Sequence, residues 1–133
     1  MRGFIPHSNS DGRVPPWEYL ECSAIQPQIG MAMVLSSGRL AIATGTTKPT
    51  HICMREEDGA VTAGTVIPVI RVEGDQVFSC HSSASLSGVD AGDKVTLHAS
   101  NGCQVTGTKT GGVATIVAKE SDAAGARVLV RFE

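Results

Sequence analysis

The chain has 133 residues, 41% hydrophobic and 18% charged, with a formal net charge of −2. That length supports one globular domain whose core needs no metal or disulfide. The charge lacks the basic excess of a general nucleic-acid binder, and no apolar run approaches the ~20 residues of a membrane-spanning helix, so neither nucleic acid nor membrane is expected as a partner. Aromatic residues make up 4% and glycines number 15, which predicts a core of Val, Ile, Leu, Ala and Met. The start of the chain carries no basic-then-apolar leader pattern, as expected of a protein that stays where it is made.

Residues 1–16 (MRGFIPHSNSDGRVPP) have no periodicity and are rich in Gly, Pro, Ser and Asn. They predict an extended arm ahead of a single domain spanning 17–133. In an arm that straps subunits together, Phe4, Ile5 and Trp17 would be the apolar anchors. Trp17–Ile25 reads as the first strand, with Leu20, Cys22 and Ala24 alternating against Glu21 and Ser23. Met31–Leu35 and Arg39–Ala43 predict a hairpin around Ser36-Ser37-Gly38, where Gly38 supplies a positive φ. Both arms of the hairpin are apolar on both faces, so Met31, Met33, Leu40 and Ile42 are expected to pack against a second layer or another subunit. Thr44–Thr50 is a polar loop, His51–Arg55 a strand, and Glu56-Glu57-Asp58-Gly59 a solvated turn. Thr65–Val72 is the most apolar run; Pro68 within it predicts an edge strand or a bulge. Gln76–Cys80 follows, and then a serine-rich segment in which Ala84, Leu86 and Val89 would pack through one helical turn.

The last third, Gly88–Glu133, contains four short β-prone runs: Lys94–His98, Gln104–Thr108, Val113–Lys119 and Arg127–Phe132. Ala-Gly occurs three times, each three residues ahead of an apolar side chain, at Ala63-Gly64, Ala91-Gly92 and Ala124-Gly125. Each time apolar residues follow two apart: Ile67/Val69, Val95/Leu97 and Val128/Val130. A period of two is a pleated strand with one buried face. The predicted class is all-β, a small antiparallel barrel or sandwich with short turns and few or no helices.

No chemistry-bearing motif stands out. His51-x-Cys53 and Cys80-His81 offer two histidines and two cysteines, but Cys80 and His81 point to opposite faces of a strand. The paired spacing of structural zinc ligands is absent. Cys22, Cys53, Cys80 and Cys103 are therefore expected as buried thiols, with His51 and His81 on the rim. Ser82-Ser83 beside His81 forms no nucleophile elbow. Glu56-Glu57-Asp58 lacks the alternating ligands of a calcium loop, and Thr108–Val113 (TKTGGV) lacks the Walker order and a helix to follow it. We therefore expect no enzyme and no cofactor.

Three segments carry a resemblance: PPWEYLECSAIQPQIGMAMVLSSGRLAIATGTTKPTHICM, then AGTVIPVIRV, then AGDKVTLHASNGCQVTGTKTGGVATIVAKESDAAGARVLVRF. From about Trp17 to Phe132 the chain resembles small head proteins of tailed bacteriophages and prophages. The closing pattern GDKV…GxxVTxTxxG…IV…G…VxVRF is similar to that of capsid decoration, or head-stabilising, proteins. This resemblance implies a virion protein, made in the bacterial cytoplasm, that binds the major capsid protein on the capsid surface and forms a homo-oligomer, usually a trimer. Residues 1–16 with Trp17 and Tyr19 would then make lattice or inter-subunit contacts, and deleting residues 2–16 would leave the domain folded. Other readings are a head–tail connector or tail-tube subunit, or a small ligand-binding or metal-binding bacterial barrel.

Overall fold

The computed structural model describes residues 2–13 and 15–133, so Met1 and Val14 of the expected arm lie outside the described residues. The fold is all-β, with eleven strands and no helix among those residues. One layer holds β1 (Ile5–Ser8), β7 (Val77–Ser82), β8 (Lys94–Val95), β9 (Gln104–Val105), β10 (Ala114–Lys119) and β11 (Arg127–Arg131). Its order is β1-β7-β11-β10-β8, with β9 paired in parallel to the end of β7. The other layer holds β2 (Trp17–Glu21), β3 (Ala32–Ser36), β4 (Arg39–Ile42), β5 (His51–Cys53) and β6 (Val66–Arg71), in the order β2-β6-β5-β3-β4. Neither layer is closed by a full strand ladder: the Leu97–Val105 bridge and three backbone hydrogen bonds (Thr96 to Thr108, Thr106 to Thr96 and His98 to Gln104) join the segments after β8 and at β9, and the isolated Cys22–Leu40 bridge approaches closure in the other. The architecture is thus a sandwich of two sheets and not a closed barrel.

The three Ala-Gly sequences build one device three times. Thr65, Asp93 and Ala126 each donate their N–H to the carbonyl three residues back, closing a β-turn with Ala-Gly at its centre. Gly64, Gly92 and Gly125 have φ of 91°, 93° and 86°, the backbone that a type II turn demands and that glycine adopts without strain. Each glycine N–H then donates to a neighbouring strand or bridge residue: Gly64 to Cys22, Gly92 to Ile116 and Gly125 to Ser82. The same three residues donate back to the carbonyls of Thr65, Asp93 and Ala126. The apolar pairs that follow are all buried, as their spacing predicts. The β3–β4 hairpin turns on Ser37 (φ 52°) and Gly38 (φ 80°), and this two-residue loop with both φ positive matches the strand twist.

Two local expectations give way to tertiary context. β6 is an interior strand, not an edge. Pro68 is tolerated there because its carbonyl, and hence its missing donor, faces the side where β5 has ended: its oxygen accepts from Met54, one residue past Cys53. The serine-rich segment forms no helical turn; Leu86 and Val89 are buried across a β-turn with Gly88 at φ 81°, while Ala84 is exposed.

Two clusters of buried side chains form the core. The larger lies between the layers and includes Ala32, Ile52, Ile70, Cys80, Val95, Ile116, Val128 and Val130. The smaller lies on the opposite face of the β2–β6 sheet and contains Cys22, Met31, Met33, Leu40, Cys53, Ile67, Val69 and Cys103. The doubly apolar hairpin is explained by these two cores: Met33 faces one and Ala32 the other. The larger core is not built of aliphatic residues alone, because all three phenylalanines meet in it. Phe132 packs edge-on against Phe4 with ring centroids 5.0 Å apart, and against Phe78 at 5.6 Å.

Phe4 also overturns the picture of a separate arm. Gly3 and Phe4 donate to the carbonyls of Ile29 and Gly30 beside one layer, while β1 pairs with β7 of the other. Backbones pass so closely there that a Cβ on Gly30 would lie 2.6 Å from the Phe4 nitrogen. Far from being dispensable, the start of the chain stitches the two layers together. Phe4→Ala is expected to lower stability by about 3–5 kcal/mol in urea unfolding, and deletion of residues 2–16 to lower it at least as much; a truncated chain as stable as the full one would contradict this packing.

Candidate functional site: an aromatic ledge and a cationic cleft

β2 is an edge strand, paired only to β6 in its ladder. Trp17, Tyr19 and Glu21 project from one face of it, opposite Ile70, Pro68 and Val66 of β6. Ile70 is covered by the other layer, but the outer part of the face overhangs it. Trp17 is 52% exposed, Tyr19 66% and Val66 50%. Tyr19 and Val66 are diagonal neighbours across the strand pair, so the three form one apolar ledge. Of the residues expected to make contacts, Trp17 and Tyr19 are presented to solvent. Phe4, Met31, Met33 and Leu40 are buried in the chain's own cores, Ile42 is half-buried against the smaller one, and Ile5 is half-buried in β1. Val66 was hidden in an apolar run, and only strand order reveals that its face is uncovered.

The other face of β2 carries a polar relay. Glu18 accepts from Arg71 at 2.9 Å through Oε1, and its Oε2 lies 3.4 Å from Nε2 of His51. Thr50 Oγ1 is 2.9 Å from His51 Nδ1 and accepts the Leu35 N–H at 2.9 Å. The tautomer with its proton on Nε2 lets every group find a partner: the Thr50 hydroxyl, accepting from Leu35, then donates to Nδ1, and the Nε2 proton faces Glu18. Four strands are thereby linked: β6, β2, β5 and β3. His51 is only 6% exposed, a correction to its expected place on the rim. Burial holds its pKa below the usual imidazole value, outweighing the upward pull of Glu18, and Arg71 adds to the fall.

Beside this relay opens a cleft of about 570 Å³, lined by Leu35, Lys48, His51, Arg71, Val72 and Phe132 among others, none of them a carboxylate. It combines an apolar floor with two cations at the rim. Lys48 belonged to a featureless polar loop (TGTTKPT), and its sharing of a cleft with Arg71 depends on how β5 pairs with β6.

The histidine and cysteine pairs do not converge. Cys53 lies in the smaller core and Cys80 in the larger, while His81 is exposed with Nδ1 3.0 Å from the Gly125 carbonyl. No group of three or more His, Cys, Asp or Glu suited to a metal is gathered among the described residues. All four cysteines are free and buried. Burial raises the pKa of each thiol, that of Cys103 to about 11. Thr110-Gly111 makes a turn joining β9 to β10, which are not ladder neighbours, and this turn accounts for the glycine pair of TKTGGV. Glu57 of the acidic turn pairs with Arg55. Compared with known proteins, the chain matches no family model and no curated protein.

Two outcomes are expected from these environments. Because the thiolates are disfavoured and shielded, Ellman's reagent should modify essentially none of the four cysteines in the native protein and all of them in denaturant; rapid native labelling would contradict their burial. For His51, the folded pKa lies below the ordinary 6.5, so under acid conditions the unfolded chain binds the extra proton first. Stability is expected to fall as pH drops through about 6.5 toward the depressed folded value, and His51→Gln should flatten that fall in urea midpoints measured between about pH 7 and 5. An unchanged slope in the variant would assign the pH dependence elsewhere.

Proposed function

We propose that this protein is a non-enzymatic structural part of a tailed-phage virion, seated on the capsid surface, where it binds the major capsid protein and holds neighbouring shell subunits together. The ledge of Trp17, Tyr19 and Val66 on an edge strand supports this reading most. Aromatic side chains bury large areas with few rotors to immobilise, which is why they anchor the centres of protein interfaces. A strand edge with unpaired backbone groups offers further hydrogen bonds alongside them. The resemblance of Trp17–Phe132 to head-stabilising proteins points the same way, and a homo-oligomer, as a trimer, belongs to the same proposal.

The mechanism is mechanical. Around a closed shell, many modest contacts act in concert, so each copy needs only moderate affinity. A domain whose interior is sealed by two cores transmits load between its contacts without rearranging. The double variant Trp17→Ala/Tyr19→Ala is expected to keep its stability within ~1 kcal/mol, since both side chains are exposed. It should lose roughly 100-fold in affinity for capsids of the phage or prophage carrying this gene, measured by cosedimentation. Wild-type and variant binding of equal strength would remove the ledge from the interface, and no wild-type binding would refute the proposal.

A further inference from the structure

We infer that the cleft beside the Glu18–His51 relay receives an extended acidic and apolar segment of the shell subunit, with a carboxylate held by Lys48 and Arg71 and an apolar side chain laid over Leu35 and Val72. The identity of the partner rests on the reading proposed above; the chemistry of the segment comes from the cleft.

Charge complementarity carries the argument. No carboxylate lines the cleft, and among the described residues none forms an ion pair with Lys48. Arg71 commits one terminal nitrogen to Glu18, yet its side chain is 67% exposed. Its remaining donors are free to form the charge-assisted bonds that guanidinium makes with a carboxylate. Glu133 lies near the rim at Gly74, but its side chain pairs with Arg131 and its carbonyl accepts from Lys94. The carboxylate of Glu18 is committed to Arg71 through Oε1, and its Oε2 is buried 3.4 Å from His51 Nε2.

The shape narrows the occupant further. Leu35 is 42% exposed and Val72 is only half-buried, so a purely ionic ligand would leave apolar surface wet. An uncharged apolar ligand would instead strip water from Lys48 without replacing it. A peptide in extended form satisfies both demands, because its alternate side chains reach opposite ways and only every second one need enter the cleft.

The test uses the full chain, isotope-labelled and titrated with a blocked peptide of alternating Asp and Leu, against a matched peptide of alternating Lys and Leu. Saturable shifts of the Leu35, Thr50, Arg71 and Val72 amides are expected with the acidic peptide only. Affinity should drop about tenfold in Lys48→Glu and be retained in Lys48→Arg. Equal response to both peptides, shifts elsewhere, or full affinity in Lys48→Glu would overturn the assignment. Cosedimentation with capsids separates the two readings. Loss of binding in Lys48→Glu supports the cleft, and binding of wild type and variant alike overturns the cleft while leaving decoration standing. Absence of wild-type binding refutes decoration, and the peptide titration then judges the cleft alone.

Discussion

Ile52 and Cys53 are successive residues of β5 that point to opposite faces of their sheet, and neither has any exposure. The same holds for Ala32 and Met33 in β3 and, nearly, for Val69 and Ile70 in β6. A sheet buried on both faces constrains everything around it. Its central strands must be largely apolar on both faces, and the face turned away from the other layer is where methionine and cysteine, small or flexible, fit. The other layer must cover one face, and the loop bearing Cys103 must help to close the other.

Double burial also explains why the chain's first residues are structural. The two layers share one core, but no strand of one pairs with a strand of the other, so something else must fasten them. Gly3 and Phe4 do so by bonding to the Ile29–Gly30 turn while β1 joins the opposite sheet. Gly30, with φ at 84°, allows the backbones to cross without a Cβ between them. The three phenylalanines then close around that crossing, drawn from the start, the middle and the end of the chain.

With its interior occupied twice over, the protein keeps only edges and ends for recognition. The ledge is an edge, where β2 overhangs the layer beneath. The cleft is an end, where the loop before β5 meets the last residues after β11. The buried His51 relay lies on the other side of β2 from the ledge and ties that strand to β6, β5 and β3. Rigid placement of both features follows from the same packing, which suits a part that acts by adhesion.

Local chemistry made much of this legible from residue order alone. Period-two apolar spacing located nearly every strand. Repeated Ala-Gly marked three identical turns because only glycine reaches their backbone geometry without strain. Ser37-Gly38 and Trp17/Tyr19 could likewise be read in place. What depends on register and layer order could not: the interior position of Pro68, the open sides of the sandwich, the burial of His51, the meeting of Phe4 with Phe132, and the sharing of one cleft by Lys48 and Arg71. Those outcomes are set by pairings between segments tens of residues apart, where one residue of slip would turn every side chain to the other face. A single sequence fixes the alternation within a strand but carries no local signal for which strand lies beside it.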